Sequence, residues 1–482
     1  MTALAEAGAF FRSLPPVIRA GMMNSRNPEQ GCRMIAQTVR WGFSTAAQIR
    51  RAVARDPERL AVIDDQGELT YAELDRQMTA LAKNLLTEGA GPGTRVAILA
   101  RNGRGFLLPI AAKGMVGFDV LLLNPGSSAA QLEHIIDEHG IDFLFTDDEF
   151  LPRLDQQWLA EHHPNLKVVV TFVADPSDPP VLAPGWSLLS DRVAAGARAS
   201  LRLAGIVRAG RIIIMSSGTT GTPKGVIYAE PQTPKAIGGL LERIPWRSFL
   251  TVQQTASMFH AWGWANFNIA LGARCTLVLR RVFDAEQCLD DAERYGVNAY
   301  ATSVLFIKEM LEAEDRTRFR HLAQPKFIVS AGNAMPAWLV ERVNARFGPV
   351  LCNFYGSTEI GQVSCATSKE LSADPTTAGR KMPGTVLRIL DDAGREVPRG
   401  QVGRIFSANG MMWLLQPRDP HRHPGSPGVH GRPRVHQPAR PPGGVRPRRR
   451  HDHQRRREHL PARGRGGPRQ APRRCRLLCP RR

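Results

Sequence analysis

The 482-residue chain has no run of about 18 apolar residues free of charge, the length a membrane-spanning helix requires. Its best candidate, FLLPIAAKGMVGFDVLLL, is interrupted by Lys113 and Asp119, so no span is expected. The opening MTALAEAGAFF has no basic n-region, which argues against a secretory signal. The seven cysteines are scattered and give no disulfide framework. Reduced thiols and a cytoplasmic location are the expectation, and Cys475 and Cys479 stand too isolated to read as a metal site. Strong charge is also missing from most of the chain. Residues 418–482 hold 20 of the 64 basic and 3 of the 44 acidic residues, so +17 of the formal +20 lies there and only +3 on the rest. That body gives no reason to expect a polyanionic partner.

The tail is defined by what it omits. Residues 418–482 contain no Lys, Phe, Tyr, Trp, Ile, Met, Asn or Thr, and consist mainly of Arg, Pro, Gly and His. Such a segment cannot bury enough apolar surface to offset its ordering entropy, and disorder is expected. Clustered arginine binds phosphates nonspecifically, which keeps a basic-tailed nucleic-acid-binding protein as an alternative of another class. The absence of interleaved aromatic residues for base stacking argues against it.

The body alternates strand and helix patterns. LAVIDD, Leu60 to Asp65, reads as a strand turning at Gly67. In LTYAELDRQMTALAKNLLTEG, Thr70 and Glu73 have capping-box spacing. Leu74, Met78, Leu81 and Leu85 follow at helical spacing, and Gly89 can end the helix. RVAILA and IDFLFT read as strands, with a helix at SAAQLEHIIDEHG before the second. RIIIMSS, KFIVSAG and VLCNFYG are short apolar runs ending in small polar residues, the form of buried strands that deliver loops. The expected class is α/β, with mostly parallel sheets, flanking helices and sites at strand C-termini.

Two stretches carry chemistry. In IIIMSSGTTGTPKGV a strand runs into Ser217, Gly218, Thr219, Thr220, Gly221 and Lys224. Glycines let backbone N–H groups approach an anion, hydroxyls donate further bonds and the lysine adds charge, which suits a phosphate. Lys224 lies between Pro223 and Gly225, so this is not a Walker A loop. In NFYGSTEIGQ a strand end presents Tyr355, Thr358 and Glu359. An aromatic ring can stack on a base, a hydroxyl can hold a phosphate and a carboxylate can hold Mg²⁺. A glutamate in a turn can equally be only solvated.

In this order the two stretches resemble the adenylate-forming superfamily, and residues 45–412 resemble its acyl-CoA synthetase branch. LTYAELD, LLNPGSSAAQLEHII, SMFHAWGW and SAGNAMP support the likeness. The resemblance implies that a carboxylate attacks ATP to give acyl-adenylate and pyrophosphate, and that CoA thiolate then displaces AMP. It implies that Ser217 to Lys224 cradle the β- and γ-phosphates, Thr358 contacts the α-phosphate and Glu359 holds Mg²⁺. Tyr355 would stack on adenine, with Gly332 and Asn333 on its other side. His260, Trp262 and Gly263 would line the carboxylate pocket, although a histidine among Phe259, Trp262 and Trp264 can also be simple core. No Asp in that stretch could hold a substrate ammonium, so an apolar acid is favoured over an amino acid, a fatty acid first. Peripheral membrane contact would suit such a substrate. A fatty-acyl-AMP ligase that loads a carrier protein is the alternative.

The superfamily also has a small C-terminal domain, with a ribose-binding Asp in Thr-Gly-Asp, a Gly-Gly-Glu-Asn-like loop and a catalytic lysine. These motifs do not follow Gly400 to Met412. Arg432 stands where that Asp is expected. Written as degenerate codons and read from the second base, Val429 to His436 permits Ser-Thr-Gly-Asp-Leu-Gly-Tyr-Ile. In the same frame, Arg446 to Arg465 permits a string containing Ser-Gly-Gly-Glu-Asn-Ile-Tyr-Pro. The expected organisation is therefore an N-terminal extension over 1–44, expected to be helical, an AMP-binding domain over 45–412, and a frameshifted remnant over 413–482. Sequencing the gene across the Met412 and Trp413 codons tests this. The shifted motifs should appear in the alternate frame, and an unambiguous DNA sequence without them contradicts the frameshift.

Overall fold

A computed structural model describes residues 3–203, 207–216, 224–228, 235–317, 322–358, 360–408 and 412–414. The Arg-rich tail after 414 lies outside the described residues.

Local signals become elements for identifiable reasons. Thr70 Oγ1 accepts from the Glu73 backbone N–H at 3.2 Å, while Glu73 Oε2 accepts from the Thr70 N–H at 2.8 Å. This reciprocal cap starts the Tyr71–Thr87 helix. Leu74, Met78, Leu81 and Leu85 lie fully buried along it, and Gly89 leaves it at φ 86°. The 1–44 segment contains two helices, Ala3–Arg19 and Pro28–Trp41.

Two mixed sheets carry the site. One has nine strands, in which Leu351–Ser357, Phe327–Ala331, Ala299–Ser303, Thr251–Gln254, Thr276–Leu279 and Leu60–Asp64 lie side by side and parallel. Antiparallel strands flank this block, among them Gly361–Ala366. The other sheet has eight strands. Ile212–Ser216, Asp119–Leu122, Arg95–Leu99, Phe143–Thr146, Lys167–Val170 and Ser187–Leu188 run parallel. Lys224–Tyr228 and then Met412–Leu414 add antiparallel to it. Arg95–Leu99, Asp119–Leu122 and Phe143–Thr146 are buried along their whole length, which is why they read as mainly apolar runs. A separate two-stranded ribbon pairs Val386–Leu390 with Arg404–Ala408.

The charges that interrupt the longest apolar run fasten the strand leading to the glycine-rich loop. The run forms the buried helix Arg104–Val116 and the strand Asp119–Leu122. Lys113 Nζ donates to the Gly210 carbonyl at 2.7 Å, and Asp119 accepts from the Arg211 N–H at 2.7 Å and its Nε at 3.0 Å. Gly210 passes so close to Phe118 that a Cβ there would lie 1.7 Å from the Phe118 carbonyl oxygen. Among the described residues no helix is long and apolar enough to cross a membrane.

Candidate active site

Parallel strands end in loops on one side, and there the molecule has a cavity of about 660 Å³. This size suits a small organic ligand. Ala331, Gly332 and Asn333 line it from the end of Phe327–Ala331, Thr302 and Ser303 from Ala299–Ser303, and Gly356, Ser357 and Thr358 from Leu351–Ser357 and its turn. His260, Trp262 and Gly263 line it from the start of the Ala261–Gly272 helix. Met215 and Tyr228 reach it from the hairpin that flanks the glycine-rich loop.

Tyr228 joins the parts. Its hydroxyl donates to the Thr358 carbonyl at 2.8 Å, which ties the strand after the glycine-rich loop to the turn of the second motif. Its ring packs against Trp264 of the Ala261–Gly272 helix, with centroids 5.9 Å apart. Sequence reasoning did not select Tyr228. No local period marks it, because Gly225, Val226, Ile227 and Tyr228 are all buried and alternation along the strand singles out none of them.

The helix start is shaped by close packing. A Cβ on Gly263 would lie 2.1 Å from the Ser257 carbonyl oxygen, so only glycine fits there without displacement. Trp262 stacks on Phe354 at 4.9 Å and donates from Nε1 to the Thr302 carbonyl at 3.2 Å. His260 precedes the helix with its ring 4.0 Å from that of Phe259. It keeps an accessible face, and loss of water on its packed side depresses the imidazole pKa below the ordinary value, which favours the neutral ring. A neutral imidazole beside a carboxylate can donate one hydrogen bond without a full charge.

Gly332 takes φ 96°, a conformation in which a side chain is strained, and Asn333 is exposed beside it. Tyr355 is exposed and is not among the residues lining this cavity, whereas its neighbour Phe354 is. Ser217, Gly218, Thr219, Thr220, Gly221 and Glu359 lie outside the described residues, and of Lys224 only the backbone strand position is described. The structure thus brings together His260, Trp262, Gly263, Gly332, Asn333 and Thr358 from three distant parts of the sequence.

A cavity at the loop edge of parallel strands places the chain among α/β enzymes with strand-end sites. Residues 49–412 match the AMP-binding enzyme family, and the chain belongs to that family. It is 27% identical over 356 residues to a 4-hydroxybenzoate–CoA/benzoate–CoA ligase of Rhodopseudomonas palustris, a match covering 73% of this chain and 64% of that protein. It is 26% identical over 376 residues to a fatty acid–[acyl-carrier-protein] ligase of Streptomyces coeruleorubidus, covering 73% of this chain and 66% of that one. The chain therefore spans just under two thirds of either relative's length. The crystal structure of a benzoate CoA ligase from Burkholderia xenovorans LB400 shares the fold, with a TM-score of 0.62 at 20% identity over 76% of this chain and 71% of that one.

Gly263→Ala is expected to destabilise the protein by about 1–3 kcal/mol, the usual cost of overpacking. Denaturant unfolding measures it, and an unchanged midpoint contradicts the packing described for the helix start.

Proposed function

We propose that the chain is the large domain of an ATP-dependent acid–thiol ligase that activates a carboxylic acid as its adenylate. One observation carries the reading: His260 to Gly263, Gly332 to Asn333 and Thr358 converge on one cavity, beside the hairpin of the glycine-rich loop. In the first step a carboxylate oxygen bonds to the α-phosphorus of ATP, the bond to the bridging oxygen breaks and pyrophosphate leaves. In the second a thiolate attacks the acyl carbon and AMP leaves. Little of this requires covalent help from the protein, and positioning with charge neutralisation carries the rate.

In this reading Ser217 to Lys224 hold the β- and γ-phosphates and Thr358 the α-phosphate. Mg²⁺, held by Glu359, would neutralise phosphate charge. Gly332, Asn333 and Tyr355 take the adenine, and neutral His260 with Trp262 and Gly263 orients the acid. The aromatic lining and the lack of an acid in SMFHAWGW favour an apolar acid, a fatty acid first. CoA is the proposed thiol. The likeness to a fatty acid–[acyl-carrier-protein] ligase supports a carrier protein as the alternative acceptor.

The motifs of the small C-terminal domain are not read in this frame, so binding is expected to outlast turnover. A domain that closes over the reactants supplies water exclusion and final positioning. Calorimetric titration with a non-hydrolysable acyl-adenylate analogue should show saturable binding that ATP competes away, while the same protein forms no acyl-CoA from acid, ATP, Mg²⁺ and CoA. No saturable binding contradicts the ligase reading, and robust acyl-CoA formation contradicts the expected loss of turnover.

A further inference from the structure

The cavity continues well past His260. Ala261, Ala265 and Asn268 line it at i, i+4 and i+7 along the Ala261–Gly272 helix, so they share one face. From first to last that face runs about 10 Å at 1.5 Å per residue. Trp264, at i+3, lines the same wall with its ring against Tyr228, and the two alanines leave the groove open beside it. Ile237 and Leu240 of the Lys235–Arg243 helix also line it.

The far end is built by the N-terminal segment. Thr45 Oγ1 donates to Asn268 Oδ1 at 2.7 Å, which docks the start of the Thr45–Val53 helix two turns along the Ala261–Gly272 helix. That docking brings Phe43 and Gln48 to the cavity wall. Both carboxamides there are engaged within the protein. Gln48 donates from Nε2 to the Phe43 carbonyl at 3.4 Å and accepts from Arg51 Nη1 at 3.3 Å. Asn268 donates from Nδ2 to the Trp264 carbonyl at 2.8 Å. The floor is therefore a shaped surface more than a polar receptor. Phe43 and Gln48 precede the residues 49–412 that match the family.

We propose that this cavity is an acyl channel closed by Phe43 and Gln48, so that the N-terminal segment sets the length of acid accepted. The channel selects an unbranched medium-chain acid over a compact aryl acid. This rests on the adenylate-binding reading above. Phe43 and Gln48 act on specificity alone, since the Thr45 contact that docks their segment falls at Asn268, about two helical turns from His260.

The test titrates the full chain with non-hydrolysable benzoyl-, butanoyl-, decanoyl- and palmitoyl-adenylate analogues. Wild type should bind decanoyl tightest. Ala265→Phe should weaken decanoyl by about tenfold or more while leaving butanoyl within about threefold, because added bulk blocks only the far half. Phe43→Ala should move the preference toward palmitoyl. The two variants act in opposite directions, and if thermal melting shows one to be unfolded the other decides. An unchanged chain-length profile in the folded variants, or a wild-type preference for benzoyl, overturns the channel. If no analogue binds wild type, the adenylate reading itself fails and the channel with it.

Discussion

The site depends on the hydrogen bond from the Tyr228 hydroxyl to the Thr358 carbonyl. Tyr228 belongs to the eight-stranded sheet and Thr358 follows a strand of the nine-stranded one. A single neutral hydrogen bond contributes only about 1 kcal/mol net to stability. Its importance is positional, because it fixes the separation between the hairpin of the glycine-rich loop and the turn of the second motif. The Tyr228 ring also meets Trp264, so the helix that carries the proposed acid pocket is set against the same side chain. One residue thereby relates a hairpin, a turn and a helix that the sequence separates widely.

Around that joint the chain uses packing to place polar groups. Gly263 allows the helix start to press on the Ser257 carbonyl. Trp262 is clamped between Phe354 and the Thr302 carbonyl. Further back, Lys113 and Asp119 hold Gly210 and Arg211, which set the entry of the strand leading into the glycine-rich loop. The same two charges that rule out a membrane span are thus structural fasteners. Prearranged groups of this kind are what the proposed adenylation, driven by orientation and charge neutralisation, would require.

Much of this was legible in the sequence where the signal is local. The capping box at Thr70 and Glu73 and the apolar runs at Ile212–Ser216, Phe327–Ala331 and Leu351–Ser357 form as their patterns imply. The motif residues were legible by resemblance, and the structure brings His260, Gly332 and Thr358 to one cavity. Tyr228, Phe43 and Gln48 were not legible, because their significance comes from contacts across sheets and helices that no local period encodes. Tyr355, which the second motif marks, is exposed next to Phe354, which lines the cavity.

The most direct test of the central claim is a crystal structure of the chain with a non-hydrolysable decanoyl-adenylate analogue. The account predicts the adenine against Gly332, Asn333 and Tyr355 and the phosphate at Thr358, with the acyl chain lying along Ala261, Ala265 and Asn268 toward Phe43. Density for the analogue elsewhere, or an acyl chain directed away from that helix face, would contradict it.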